Sequence, residues 1–134
     1  MPAYSTQQLT PARAGPLYKS KGDINGASSA FFYELPPQSE LLILWAIRNG
    51  RHPGVYGLDI QRAIEESSGG NIKISVGTLY SMLKRLRGKG YITSIEGSAP
   101  AGGGNRQYYS LTDTGNAVVN FADDFIARLQ DWQP

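Results

Sequence analysis

Apolar positions along residues 38–132 follow two periods, and each change of period marks a new element. Leu41, Leu42, Leu44, Trp45 and Ile47 crowd one segment on nearly every side. Their spacing predicts a helix over Ser39–Asn49, buried on several sides or lying at a subunit interface. Ser39 stands where a capping hydroxyl is wanted, Pro36–Pro37 precede it, and Asn49–Gly50 stop the helix. His52–Pro53–Gly54 reads as a turn. A second helix follows over Tyr56–Ser67, with Leu58, Ile60, Ala63 and Ile64 as its inner face and Ser67–Ser68–Gly69–Gly70 as its end. Ile72–Ile74 reads as a short β stretch. In the third helix, Val76–Lys89, Leu79, Leu83 and Leu86 repeat at i, i+4, i+7 with Val76 and Met82 alongside. Ser75 is its cap, and Gly88 and Gly90 are its stop signals.

The period then shortens to two. Tyr91–Glu96 and Gln107–Leu111 alternate on either side of a polar, glycine-rich stretch, Gly97–Arg106, which predicts a β-hairpin with a long tip. Tyr108 and Tyr109 point to opposite faces of their strand, so one of them belongs to the core. The last helix begins at Thr112 or Asp113 and runs to about Trp132, where Val118, Ala122, Phe125, Leu129 and Trp132 form a heptad-like seam that Phe121 broadens. Ahead of all this, residues 1–37 hold five of the eight prolines and little periodicity. They read as an irregular arm whose end is anchored by Phe31, Phe32 and Tyr33.

The fold class is therefore mainly α with a small β-hairpin: an arm (1–37), a winged helix-turn-helix (38–111) and an added C-terminal helix (112–134). With 134 residues and no cysteine, the chain is one fold's length and has neither a disulfide scaffold nor a thiol nucleophile. A single histidine, His52, leaves little room for a metal site or a Ser-His-Asp triad, and no metal or cofactor is expected. Adjacent Asp123 and Asp124 diverge on a helix, so they form no acid/base pair. The glycine-rich tip lacks the Lys-Ser/Thr sequel of a phosphate loop, and an enzyme is not expected. The longest apolar run, Leu41–Ile47, is far short of a membrane span, and no signal-peptide core opens the chain. A soluble cytoplasmic protein is the expectation.

The formal charge of +2 conceals segregation. Residues 71–97 carry a net +4 and residues 112–134 a net −3. A basic block on the second helix of a helix-turn-helix is the electrostatic footprint of a nucleic-acid site, although a solvated helix face has the same composition. In that arrangement the second helix enters the major groove, and its start must be thin and polar. Ser75, Gly77, Thr78, Tyr80 and Ser81 supply that surface, Lys73 precedes it, and Lys84 lies further along it. At the wing, Asn105 and Arg106 follow Gly102–Gly103–Gly104, where an arginine can neutralise a phosphate or enter a narrow minor groove. Taken alone, the glycine run reads as a disordered hairpin loop. Tyr56 either reaches a phosphate through its hydroxyl or packs at the start of its helix.

YGLDI at residues 56–60, GTLYSMLKRLRGKGYI at 77–92 and GGNRQYYSLTDTG at 103–115 stand in an order and spacing that resembles the PadR-like family of bacterial transcriptional regulators. The resemblance covers about residues 40–116. It implies a dimeric winged-helix repressor that binds double-stranded DNA. By position it assigns Tyr56, Ser75, Gly77, Thr78, Tyr80, Ser81, Lys84 and Arg106 to the DNA face, and dimerisation to the C-terminal helix. Family members often carry Pro where Ser81 stands and Glu where Arg87 stands. Many have several C-terminal helices. A single one aligns this chain with the short members and weakens the case for a small-molecule effector.

A homodimer of this kind would place its two copies of residues 75–89 in successive major grooves of a near-palindromic promoter site and exclude polymerase sterically. Two other readings stand beside it. In one, the winged helix is a protein-interaction module without DNA, working through the acidic last helix and the aromatic arm. In the other, the repressor is ligand-gated, with Trp45, Phe121, Phe125 and Trp132 lining an apolar cavity between subunits. Packing of those same side chains in a dimer interface is the simpler alternative.

Overall fold

The computed structural model describes residues 34–134, so the expected arm, with Phe31, Phe32 and Tyr33, lies outside the described residues except for 34–37. The elements are α1 (Gln38–Arg48), β1 (Val55–Tyr56), α2 (Gly57–Ser67), α3 (Val76–Gly88), β2 (Ile92–Ser98), β3 (Asn105–Leu111) and α4 (Asp113–Asp131). The three strands form an antiparallel sheet in the order β1-β3-β2. Tyr56 pairs with Tyr108 across the first ladder, and Gly97 pairs with Arg106 across the second. This is a winged helix: three helices, then a hairpin, with β1 tucked in before the helix pair. Residues 37–115 cluster as one compact unit, while 116–134 fall in a second.

The core of the first unit is built from Leu41, Ile43, Leu44 and Ile47 of α1, Ile60 and Ile64 of α2, and Leu79, Met82, Leu83 and Leu86 of α3. Tyr91, Ile92 and Tyr109 close it from the sheet side. Each such side chain withdraws apolar surface worth about 1.5–3 kcal/mol from water. Tyr109 is thus the core member of the tyrosine pair, and Tyr108 stays half-buried. In α4, Val118, Val119 and Ala122 are buried.

Several expectations need correction. Ile72–Ile74 is not a strand. Among the described residues, no strand pairs with it. Its backbone is met by side chains instead: Ile72 N–H donates to Ser68 Oγ (2.9 Å), and Gln61 Nε2 donates to Ile74 O (2.6 Å). The third strand is Val55–Tyr56, so Tyr56 lies just outside α2. Ser39 does not cap α1, because the helix begins one residue earlier, with Pro37 O accepting from Glu40 N and Leu41 N. Leu58 and Val76 are exposed. Gly57, Ile60 and Ile64 make the inner stripe of α2 at i, i+3, i+7, which rotates Leu58 outward. Val76 is the first residue of α3, ahead of the turn that packs. The wing strands are longer than the alternation suggests, since the Gly97–Arg106 and Ser98–Asn105 pairs extend the ladder and leave a tip of residues 99–104.

Two local devices set the orientation of the wing. The first is a full C-terminal cap on α3: Gly90 adopts φ 81°, Tyr91 N donates to Leu86 O (3.1 Å), and Gly90 N donates to Arg87 O (3.0 Å). That is the two-bond helix stop that favours glycine at the left-handed position. The second is at the TDTG segment. Thr112 Oγ1 donates to Gly90 O (2.6 Å) and accepts from Gly115 N (3.0 Å), while Thr112 N donates to Tyr91 O (3.0 Å). A Cβ at Gly115 would collide with the Tyr91 carbonyl, so only glycine fits this clasp.

Candidate nucleic-acid interface

Buried residues of α3 occupy one face, at positions 79, 82, 83 and 86. At about 100° per residue, Gly77, Ser81, Lys84 and Gly88 fall on the opposite face. All four are exposed. This stripe begins with a residue that has no side chain, continues with a hydroxyl and reaches a cation one turn later.

The helix start is rigid. Ser75 Oγ accepts from Thr78 N (3.2 Å) and donates to Thr78 Oγ1 (3.0 Å). The expected cap is therefore present, and the Thr78 hydroxyl, accepting from Ser75, keeps its own proton to donate outward. Ser75 spends its hydroxyl on the cap. A Cβ at Gly77 would meet nothing within 4 Å, and its φ is not positive, so nothing inside the chain requires glycine there. Tyr80 lies at the edge of this surface. Its phenol end rests where a side chain at Gly57 would be, which accounts for the glycine that opens α2. Burial, then the neighbouring Tyr56 and Tyr109, push the Tyr80 hydroxyl above the ordinary tyrosine range, so it remains a proton donor.

At the wing, the Arg106 guanidinium carbon lies 3.9 Å from the centroid of the Tyr56 ring, a cation–π stack. Tyr108 stands beside it, its ring 6.3 Å from that of Tyr56, and its hydroxyl donates to Ser98 O (2.9 Å). Asn105 and Arg106 are thus strand residues, not tip residues, and Asn105 is exposed.

The basic block is smaller than its sequence count. Glu40 of α1 is 2% exposed and binds two cations of α3 and its end: Lys89 Nζ at 3.0 Å and Arg85 Nη1 at 3.3 Å. Arg87 donates to Ser94 Oγ (2.7 Å), and Lys73 pairs with Glu65 at 3.6 Å near the surface. Among the described residues, Lys84 and Arg106 are the cations of this region without a hydrogen bond or ion pair. Glu40 was missed in the sequence, yet a signal exists: Arg85 and Lys89 are four apart and so share a helix face.

The structure thus joins Tyr56, Tyr80 and Arg106 around the sheet edge and α2, and strings Ser75, Gly77, Thr78, Ser81 and Lys84 along α3. Lys73, paired with Glu65, and the exposed Asn105 belong to neither group. Along the expected dimer seam, Val118 and Ala122 are buried, Phe121 and Phe125 stack with centroids 6.0 Å apart, and Leu129 and Trp132 are 59% and 68% exposed. Trp45 lines a groove of about 410 Å³ with Leu42, Ala46, Ala63, Ile64 and Ile72. No helix of the described residues is long and apolar enough to cross a membrane.

A winged helix with a polar, thin-started recognition helix and a free arginine on the wing is the layout of a DNA-binding transcription regulator. Comparison with known proteins identifies the family. The model of the transcriptional regulator PadR-like family matches residues 43–120. The chain belongs to that family, whose members are transcription regulators and not enzymes. A PadR-like transcription factor from Bacteroides fragilis is 22% identical with a TM-score of 0.58, covering 70% of this chain and 84% of its own. A PadR family transcription regulator from Clostridium difficile is 26% identical with a TM-score of 0.56, covering 71% and 96%. PadR of Bacillus subtilis, solved in complex with operator DNA, is 26% identical with a TM-score of 0.56, and the match covers 73% of this chain and 50% of that one. No curated protein matches the chain.

Proposed function

We propose that this protein is a dimeric, sequence-specific repressor. The start of α3 enters the major groove, and the β2–β3 wing lies on the backbone or in the minor groove. The observation that carries this reading is the stripe Gly77–Ser81–Lys84, exposed opposite the core and beginning where no side chain intervenes. Support also comes from the unpaired Arg106 on the wing and from the operator complex of the B. subtilis relative. Ser75, Thr78 and Tyr80 set the helix start, Lys84 meets the phosphate chain, and Asn105 and Arg106 are the wing contacts. Lys73 reaches phosphate by exchanging its surface partner Glu65, an exposed pair of little net worth.

The exposed Leu129 and Trp132 support dimerisation through the end of α4. A two-fold dimer reads a near-palindrome with half-sites about one helical turn apart, and occupancy blocks polymerase. The test is selection of bound fragments from the source genome, followed by footprinting and anisotropy titrations. Two protected half-sites with affinity lowered by Lys84→Ala and Arg106→Ala are expected. An asymmetric single half-site, or unchanged affinity in both variants, refutes the assignment.

A further inference from the structure

We infer that Tyr56 is a positioning residue: its ring is the platform that holds Arg106 flat on the wing, and its hydroxyl is not the group that meets DNA. This rests on the DNA-binding reading above and deepens it.

Arg106 is arranged as a donor with nothing yet to donate to. Its guanidinium carbon lies over the Tyr56 ring, 3.9 Å from the centroid, and among the described residues it makes no hydrogen bond or ion pair. Stacking uses the face of the guanidinium and leaves the N–H donors on its edge unspent. Those donors suit a phosphate or the floor of a narrow groove.

Tyr56 is fixed from two directions. Its backbone pairs with Tyr108 in the β1–β3 ladder, and it is also the N-cap residue of α2, with φ −68° and ψ 140°. Its side chain makes no capping hydrogen bond, so helix initiation does not account for the tyrosine. The platform therefore joins the sheet to the helix-turn-helix and sets the wing arginine in register with α3.

The surroundings keep the stack in place. Tyr108 is tilted 51° to Tyr56, and its hydroxyl is tied to Ser98 O across the wing. Gly97, the register partner of Arg106, leaves room for the Tyr108 ring, which a Cβ there would approach to 3.0 Å. An arginine held this way has already lost most of the rotamer freedom that binding would remove, an advantage of about two- to tenfold in affinity.

Four variants test this: Tyr56→Phe, Tyr56→Leu, Arg106→Ala and the double variant Tyr56→Leu/Arg106→Ala. In the free protein, ring current should shift the Arg106 δ-methylene protons upfield in the wild type and Tyr56→Phe, and the shift should vanish in Tyr56→Leu. On the selected DNA site, Tyr56→Phe should match wild type, while Tyr56→Leu weakens binding about two- to tenfold. The double variant should bind no more weakly than Arg106→Ala alone, because one residue acts through the other. Tyr56→Phe as weak as Tyr56→Leu overturns the inference, since the hydroxyl would then make the contact. Additive losses in the double variant overturn it as well. A wild-type chain that retains the upfield shift but binds no DNA removes the functional reading, and the positioning role with it, while the stack itself stands.

Discussion

Replacing Gly77 with alanine should make the protein more stable and a poorer DNA binder. Gly77 is the second residue of α3, has an ordinary helical φ, and faces open space where a Cβ would go. Alanine there removes backbone freedom from the unfolded chain at no steric cost, a gain of about 0.5–1 kcal/mol. For a domain of this size that raises Tm by roughly 2–8 °C. The same methyl group lies on the stripe opposite the core, at the end of the helix proposed to approach base edges. If it holds the helix away by even one base contact, the loss is about 1–3 kcal/mol, on the order of 5- to 150-fold in Kd. Gly88→Ala is the matched control. It lies on the same stripe at the far end of α3, also with nothing within 4 Å, and should stabilise the fold without affecting DNA. Thermal melts by circular dichroism and anisotropy titrations measure the two effects separately. Stabilisation with unchanged affinity would show that the start of α3 does not face DNA. Loss of stability would show that the glycine answers a need within the chain.

Gly115→Ala should destabilise the fold by about 1–3 kcal/mol, because its Cβ meets a backbone carbonyl that cannot move aside; an unchanged denaturation midpoint would refute the clasp. Burial raises the Tyr109 hydroxyl above its ordinary value of 10.0, with Arg87 opposing it more weakly. The neutral phenol therefore favours the fold, and its contribution is present below that value and lost as pH rises through the folded-state pKa. Tyr109→Phe should flatten the alkaline limb of a stability–pH profile, and an unaltered limb would count against the assignment. Leu129→Ser with Trp132→Ser should leave the melting temperature of the fold nearly unchanged while shifting sedimentation from dimer to monomer; an intact dimer would rule out the exposed end of α4 as the interface.

The sequence was most readable where one local rule decides the outcome. Leu79, Leu83 and Leu86 at helical spacing, Ser75 at the cap and Gly90 at the stop each depend on a residue and its nearest neighbours, and α3 follows them almost to the residue. Where the outcome depended on a distant partner, local reading failed. Ile72–Ile74 has strand composition but, among the described residues, no strand beside it, while Val55–Tyr56, only two residues long, gains its identity from Tyr108 and Tyr109 more than fifty positions away. The candidate interface divides the same way. The stripe on α3 is legible from the period of a helix. The Arg106–Tyr56 stack and the capture of Arg85 and Lys89 by Glu40 are not, because both join separate elements.

That capture changes what DNA binding should cost in salt. With Arg87 tied to Ser94, the cations counted along the chain near the proposed interface are five per protomer: Lys73, Lys84, Arg85, Lys89 and Arg106. If all neutralised phosphates, a dimer would release counterions from about ten contacts, and log K would fall with log salt at a slope of about −9. Glu40, 2% exposed, holds Arg85 and Lys89 at 3.3 and 3.0 Å, so those two serve the packing of α3 on α1. Lys73, Lys84 and Arg106 remain, which gives about six contacts per dimer and a slope of about −5.4. Glu40→Gln keeps the shape of the side chain and removes its charge. It should steepen the slope as the two cations are freed, at a stability cost of about 3 kcal/mol or less, because their exposed ends can turn to water. Anisotropy titrations between 50 and 300 mM salt, on the order of the range where counterion release dominates, decide the matter. A wild-type slope of about −9 would mean that Arg85 and Lys89 leave Glu40 for the phosphates. The buried carboxylate would then be a latch opened by DNA, not a fixed strut of the recognition helix.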